Sequence, residues 1–391
     1  MIKAASIYTH EIDNINNACL NLKKQLNEKI SLLSNTVGIV QCHPEFLEAG
    51  VMEPLCGELG IPLVGGTTIA CATNDGIGNV MLSVLVLTSD DVEFAVSHTE
   101  GFRDDYRNAV NRSFNEALAG PHSPLRLAIV FSPIIDNLAG DYYVEAIEDV
   151  CGKTPVFGTF SVDDSMENFA QSASICNNDS FRYEMTYVLL FGNVTPRFSH
   201  ATVSKQFDLT ASSAIITKAD GNIAYEINNM RAVDYFESIG LVEAGKTNGS
   251  GFFIPLLMTL PDRPDEIPFV RALFRIDADG SAVFRGKIIE GAEFSFGSNS
   301  CVDVLSSTAN TVAGITKAKD ANATLFFSCI IRQLVVGVDS MKELALVRDM
   351  LGGNVPFLAS YAVGEISPTS VDENNNACNR FHNYTFISCL L

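Results

Sequence analysis

The sequence predicts an α/β protein made of repeated strand–helix–strand units that form a mainly parallel sheet, with an antiparallel α+β insert in the C-terminal half. Three observations carry that expectation. A motif of Pro, two apolar residues and two small ones occurs three times, at Pro62, Pro155 and Pro356. Each copy follows the end of an apolar strand by about the length of a crossover helix, an order that demands a parallel connection. Between residues 200 and 319 the pattern changes to hairpin signals, with Asp220-Gly221-Asn222 and Ala278-Asp279-Gly280 as turns.

The elements follow in order. Ala4 to Thr9 reads as a strand. Ile12, Ile15, Cys19, Leu22, Leu26, Ile30 and Leu33 recur at three- and four-residue steps, the stripe of an amphipathic helix. Unit one has a strand from Val37 to Cys42 stopped by His43-Pro44, a helix from Glu45 to Leu59, a strand from Ile61 to Thr67 and a further strand from Val80 to Leu87. Unit two repeats this with Leu125 to Phe131, a helix from Gly140 to Val150, Thr154 to Thr159, a long polar stretch, and Glu184 to Phe191. Unit three lies at the far end, with Thr324 to Cys329, a helix from Ser340 to Met350, Val355 to Ser360, a polar stretch from Ser367 to Arg380, and Tyr384 to Leu390. Proline is tolerated at a strand start because its missing donor falls at the sheet margin. The insert contributes strands at 215–219, 223–227, 269–277 and 281–285, with a helix from Arg231 to Glu237. Two domains are expected, 1–200 and 201–391, because a single core stops growing near about 250–300 residues.

Composition narrows the function. The 391 residues carry 26 basic and 46 acidic side chains, a net charge of −20. Such a chain repels a phosphate backbone and an anionic bilayer, so neither nucleic acid nor a membrane surface is an expected partner. The N-terminus lacks the apolar stretch of a secretory signal, and no segment has the length and apolarity of a membrane span. The ten cysteines show no CxxC pair. They read as reduced thiols in a cytoplasmic protein rather than as disulfides or a zinc site.

In parallel sheets, ligands sit at the carboxyl ends of strands. That rule selects Cys42, His43, Ser132, Asp136, Cys329 and Arg332 after the first strands. After the second strands it selects Gly65, Gly66 and Thr67, then Thr159 and Asp163, then Tyr361, Gly364 and Glu365. Cys329 with Arg332, His382 and Glu365 has the makings of a Cys–His–acid constellation, against which stands the ordinary behaviour of free cysteine as a small buried hydrophobe. Cys42-His43 is a candidate contact for haem or a metal. His382-Asn383 precedes the last strand as a ligand contact or a capped turn. Gly65-Gly66-Thr67 offers backbone donors to an anion, or is a tight strand-end turn. There is no phosphate-binding Gly-x-x-x-x-Gly-Lys loop, no His-Glu-x-x-His and no Gly-x-Ser-x-Gly elbow. Asp277-Ala278-Asp279-Gly280 begins like a calcium loop, but its twelfth position is Ile288.

An ordered series of these segments resembles the FIST family, with its N-terminal and C-terminal FIST domains. In the first half the series is Ile61-Pro62-Leu63-Val64-Gly65-Gly66-Thr67-Thr68, Gly76, Ala128 to Ser132 and Pro155-Val156-Phe157-Gly158. In the second half it is Ile216 to Asn222, Tyr225-Glu226-Ile227, Ala232, Tyr235, Arg275-Ile276-Asp277, Phe327 to Arg332, Tyr361 to Ile366 and His382 to Thr385. The chain departs from the family at Gln333, where a glycine is usual, and at Arg231, where a proline is usual. The resemblance implies a bacterial-type sensory module for small molecules such as amino acids, not an enzyme. It also implies signalling through a separate histidine kinase, cyclic-dinucleotide enzyme or chemoreceptor, since no output domain is attached. Some members resemble haem-binding nitric-oxide sensors, which keeps haem as an alternative cofactor. For a zwitterion, Arg332 would hold the carboxylate in bidentate fashion and Glu365 would accept from the amine. Cys329, His382, Asn383, Gly65, Gly66 and Thr67 complete the expected ligand contacts.

Overall fold

The three prolines of the repeated motif hold the same structural post. The carbonyl of Pro62 accepts from the Gly38 N–H at 2.9 Å, that of Pro155 from Ala128 at 3.0 Å, and that of Pro356 from Thr324 at 3.0 Å. Each bond opens a parallel pair: Asn35–Cys42 with Leu63–Thr67, Leu125–Ser132 with Val156–Phe160, and Thr324–Cys329 with Phe357–Ala362. These elements come from a computed structural model that describes residues 1–391 except 136–137, 166–168, 205–212, 243–254, 262–267, 299, 317–320 and 354.

The expectation of a mainly parallel sheet is overturned. In every unit the remaining strands run antiparallel. Leu82–Ser89, Thr186–Gly192 and Phe386–Leu390 return along the free side of the first strand. Lys3–Thr9, Val92–His98 and Arg197–Ala201 then pair antiparallel with those. The misreading has a physical cause. Continuous apolar runs mark strands covered on both faces, which is the usual signature of parallel sheets. Here both faces are covered for another reason. One face of each sheet turns inward onto a shared core that includes Ile39, Val64, Leu85, Ile129, Phe157, Val188, Phe327, Leu358 and Ile387. The other face carries that unit's helices, as where Cys19, Leu22, Leu26 and Leu55 cover Val40, Val84 and Val86.

The units therefore form three separate mixed sheets around one core. They are also interlocked. The short hairpin that follows the second strand of each unit joins the sheet of another unit. Cys71–Thr73 pairs with Leu358–Ser360, Ser174–Cys176 with Val64–Gly66, and Glu365-Ile366 with Gly158-Thr159. The exchange is cyclic, one into three, two into one and three into two, so the arrangement has a pseudo-threefold axis.

A helix precedes the first strand of each parallel pair: Ile15–Lys29, Tyr106–Leu118 and Cys301–Thr316. Unit three thus begins at strand Arg197–Ala201, and everything between that strand and Cys301 is inserted into it. The insert is a closed antiparallel barrel in which Ala214–Asp220 pairs with both Glu293–Phe296 and Ile223–Ile227. Its own core includes Ile216, Tyr235, Phe236, Leu256 and Phe294. The two expected turns are present, with Gly221 and Gly280 at φ 55° and 87°, values that suit glycine. Among the described residues no helix is long and apolar enough to cross a membrane.

Candidate functional site

The hairpin exchange draws three pairs of strand ends together. The link is the same each time: the Thr67 N–H donates to Ala173 O at 2.9 Å, Phe160 to Gly364 O at 3.1 Å, and Tyr361 to Ala70 O at 3.3 Å. Residues two apart on a strand share a face. The positions beyond the inward-facing Ile39, Phe157, Leu358, Phe327 and Ile387 are therefore Gln41, Thr159, Ser360, Cys329 and Thr385. The apolar core is capped by a polar layer at the carboxyl ends of the strands, and all five of these residues are buried. Most of the layer is satisfied internally. Ser360 Oγ donates to Gln41 Oε1 at 2.9 Å, Ser83 Oγ to Gln41 O at 3.1 Å, Thr186 Oγ1 to Gly65 O at 3.1 Å and Thr159 Oγ1 to Gly364 O at 3.2 Å.

Unit three departs from this neutral pattern. Glu365 starts its hairpin, at the post that Cys71 and Ser174 hold in the other two units. It sits directly between Thr159 and His382 in the strand register, so the three side chains form one row on the inner face. Glu365 is fully buried. Its Oε2 accepts from Thr385 Oγ1 at 2.7 Å. Desolvation pushes the carboxyl up from 4.5 to about 8, opposed by hydrogen bonds from Thr385 and Cys329. His382 Nε2 lies 3.1 Å from Ser367 O, which can only accept, so Nε2 carries the proton and Nδ1 is an acceptor. Burial and the neighbouring His200 ring, stacked at 5.9 Å, drive its pKa down from 6.5 to about 3. Glu365 Oε1, His382 Nδ1 and Asn383 Oδ1 are buried and have no hydrogen-bond partner; among the described residues the same holds for Ser132 Oγ, Ser161 Oγ and Thr324 Oγ1.

The other sequence-selected residues divide by environment. The Cys329 thiol is buried against Glu365 and is held well above its ordinary range, first by desolvation and then by that carboxyl. Arg332 is completely buried, and its guanidinium is committed to the protein. Nε and Nη2 donate to Glu343 Oε1 at 3.0 and 2.8 Å, and Nη2 also reaches Thr308 Oγ1 at 2.8 Å, Ser307 Oγ at 3.1 Å and Val304 O at 3.0 Å. Ser328 Oγ donates to Glu343 Oε2 at 2.7 Å, completing a closed ionic knot under the layer. Gly65, Gly66 and Thr67 lie within a paired strand, so their amides belong to the ladder and to Ala173 O. What the two glycines provide is close approach: a Cβ on Gly65 would lie 1.9 Å from Val40 O, and one on Gly66 2.3 Å from Ser161 Oγ. Asp163 organises its own loop, accepting from Ser165 N at 2.7 Å and Gln171 N at 2.5 Å. Asp136 lies outside the described residues.

The pair Cys42-His43 does not fit haem. His43 Nε2 is 2.7 Å from Asp164 Oδ2, and Nδ1 accepts from Glu45 N at 3.4 Å as a helix cap, so neither ring nitrogen is left for iron. Burial pushes the Cys42 thiol up and keeps it protonated. Among the described residues no cluster of three His, Cys, Asp or Glu side chains is placed to hold a metal ion.

Sequence reasoning missed Glu343, Thr308 and Thr385. A signal existed for the first two. Glu343 stands four residues before Val347 and eight before Leu351, on the buried stripe of its helix. Thr308 holds the matching place among Val304, Val312 and Ile315. A polar residue on an apolar stripe calls for a buried partner.

The FIST N domain matches residues 36–230 and the FIST C domain residues 232–368. The chain belongs to the FIST family. FIST domains are sensory and signal-transduction domains. The boundary between the two FIST matches falls inside the barrel insert, so unit three is split between them. No curated protein matches the chain. Among solved structures, a cyanuric acid hydrolase from A. caulinodans aligns over 100% of this chain and 99% of its own at 8% identity and a TM-score of 0.34. PurLQS from Thermotoga maritima aligns over 100% and 71% at 11% identity and 0.22. PurL of T. maritima complexed with AMPPCP aligns over 100% and 72% at 12% identity and 0.21. Scores this low do not establish a shared fold.

Proposed function

We propose that this FIST protein senses a small polar molecule, an amino acid or similar zwitterion, held in the polar layer at the strand ends. The observation that carries the reading is the group of buried polar atoms without partners: Glu365 Oε1, His382 Nδ1 and Asn383 Oδ1. Each such atom costs roughly 1–3 kcal/mol when left unpaired, a cost that a ligand supplying the missing partners would remove. The layer is built by all three units, so an occupant would bind the interlocked strand ends differently from an empty layer. That difference is what a sensor requires. The signal would pass to a separate protein in the cytoplasm, such as a histidine kinase, a cyclic-dinucleotide enzyme or a chemoreceptor. Binding rather than catalysis fits the thiol. Cys329 is held protonated, and His382 Nδ1 makes no hydrogen bond to it that would let the ring act as its base.

The test is a thermal-shift screen of the twenty amino acids. A ligand at about 100 times its Kd adds about 2.7 kcal/mol, a readily measured rise in melting temperature. Stabilisation by one or a few amino acids, lost in Thr385→Val and Glu365→Ala, is expected. No stabilisation by any of the twenty would refute the reading.

A further inference from the structure

The unpaired atoms of Glu365, His382 and Asn383 share one polarity. Asn383 Oδ1 is a carbonyl oxygen and accepts only. His382 Nδ1 is an acceptor because Nε2 already donates to Ser367 O. Glu365 Oε1 accepts whenever the carboxylate is ionised. Glu365 and His382 are directly opposed on adjacent strands with side chains on the same face, a placement that sets Cβ atoms roughly 5 Å apart. Yet Oε1 and Nδ1 do not bond one another, since each lacks a partner. A single donor group placed between them would satisfy both.

The charged and titratable groups around Glu365 leave the place of a cation open. On strand Thr324–Cys329 it faces the Cys329 thiol, which is protonated. From the helix that follows, Arg332 lends positive potential, but its donors are taken by Glu343, Thr308, Ser307 and the Val304 and Tyr384 carbonyls. On strand Ala377–His382 it faces neutral His382, with Arg380 and the buried Arg271 near that ring and His200 stacked on it. Thr159 and Thr385 are neutral. Arg271 is itself paired with Asp141 at 2.8 Å.

We propose that Glu365 and His382, with Asn383 next in the chain, form an ammonium subsite that takes a primary amine, and that each amine bound expels one proton from Glu365 to solvent. The balance is simple: R–NH₃⁺ enters carrying its own protons, the Glu365 carboxylic acid becomes a carboxylate, and H⁺ leaves. Two of its N–H donors then meet Glu365 Oε1 and His382 Nδ1, the two opposed acceptors. The direction of proton movement agrees with a carboxyl held up to about 8 by burial, which is mostly protonated near neutrality until a cation arrives. The inference rests on the small-molecule reading above and deepens it by naming the head group that the site recognises.

The experiment is titration calorimetry on the full chain with the amino acid that stabilises it most, against the 2-hydroxy acid of the same side chain. Both are run in phosphate and in Tris, whose ionisation enthalpies differ. The expected result is that the amino acid binds, that its apparent enthalpy differs between the buffers by the ionisation heat of about one proton, and that the hydroxy acid binds at least tenfold more weakly. Affinity should rise with pH up to about 8, and Glu365→Gln should abolish the buffer dependence. The wild-type buffer dependence stands whether or not that variant folds. Equal binding of amino and hydroxy acids, or binding without proton release, would overturn the ammonium subsite while leaving a ligand in the layer. If none of the twenty amino acids binds, both readings fall, and trapped water satisfies the three acceptors.

Discussion

Replacing Glu365 with glutamine should reshape the pH dependence of stability. Gln retains an oxygen to accept from Thr385 Oγ1, now 2.7 Å from Glu365 Oε2, and places an amide where Oε1 stands, so the packing is preserved. In the wild type the folded chain keeps a proton that the unfolded chain has lost, because burial raises this carboxyl from 4.5 to about 8. Folded-state proton excess makes stability fall as pH rises through that window. At 1.36 kcal/mol per pH unit, the Glu365 contribution to that loss between about pH 5 and pH 8 is about 4 kcal/mol. His382 acts at the other end. Its pKa falls from 6.5 to about 3, so the unfolded chain binds the proton that the folded ring refuses, and stability falls as pH drops below 6.5. The two groups together give a plateau from about 4.5 to 6.5, limited on the acid side by His382 and on the alkaline side by Glu365. Glu365→Gln should remove the alkaline limb and, with nothing left to offset His382, turn the plateau into a rise of stability with pH up to 6.5. Urea denaturation at pH 5, 6, 7 and 8 measures it, and wild-type and variant curves that run parallel across the range would refute the reasoning.

Further predictions concern the surrounding frame. Arg332→Met should destabilise the chain by about 3–5 kcal/mol, because Glu343 is left as an uncompensated buried charge, and Arg332→Met with Glu343→Leu should recover most of that loss in denaturant melts. Cys329 should resist iodoacetamide in the folded protein at pH 8 and react at an ordinary rate in urea, as peptide mapping would show; rapid native labelling would contradict its burial as a thiol. Gly158→Ala should fail to fold or lose most of its stability, since its Cβ would lie 2.1 Å from Val130 O, whereas Gly120→Ala has nothing within 4 Å and should be near neutral by the same circular-dichroism melt.

The repeat was legible in sequence because its marker is local. Pro62, Pro155 and Pro356 each sit at the margin of a parallel pair, and a residue that cannot donate there leaves the same mark three times. Strand direction was not legible, because Leu82–Ser89 and its counterparts are apolar on both faces whichever way they run. The exchanged hairpins were hidden for a related reason: Cys71–Thr73, Ser174–Cys176 and Glu365–Val371 find their partners more than a hundred residues away or in another unit, and nothing in a short segment states its partner. At the site, the strand-end rule selected Glu365 and Cys329, which share one layer, since that rule depends only on where strands stop; His382 was picked separately, as a residue just before the last strand. The rule also selected Arg332, whose ion-pair partner lies eleven residues on, across the turn at Gly337. The sequence shows a cation beside a strand end but not that the next helix brings back a carboxylate to neutralise it.

The most direct measurement is a crystal structure of the protein grown with its best-stabilising amino acid. The account predicts electron density for that molecule in the strand-end layer, its amine against Glu365 Oε1 and His382 Nδ1, with the Arg332–Glu343 pair unchanged beneath it. Density at a different place, or a layer closed around water alone at saturating ligand, would contradict the account.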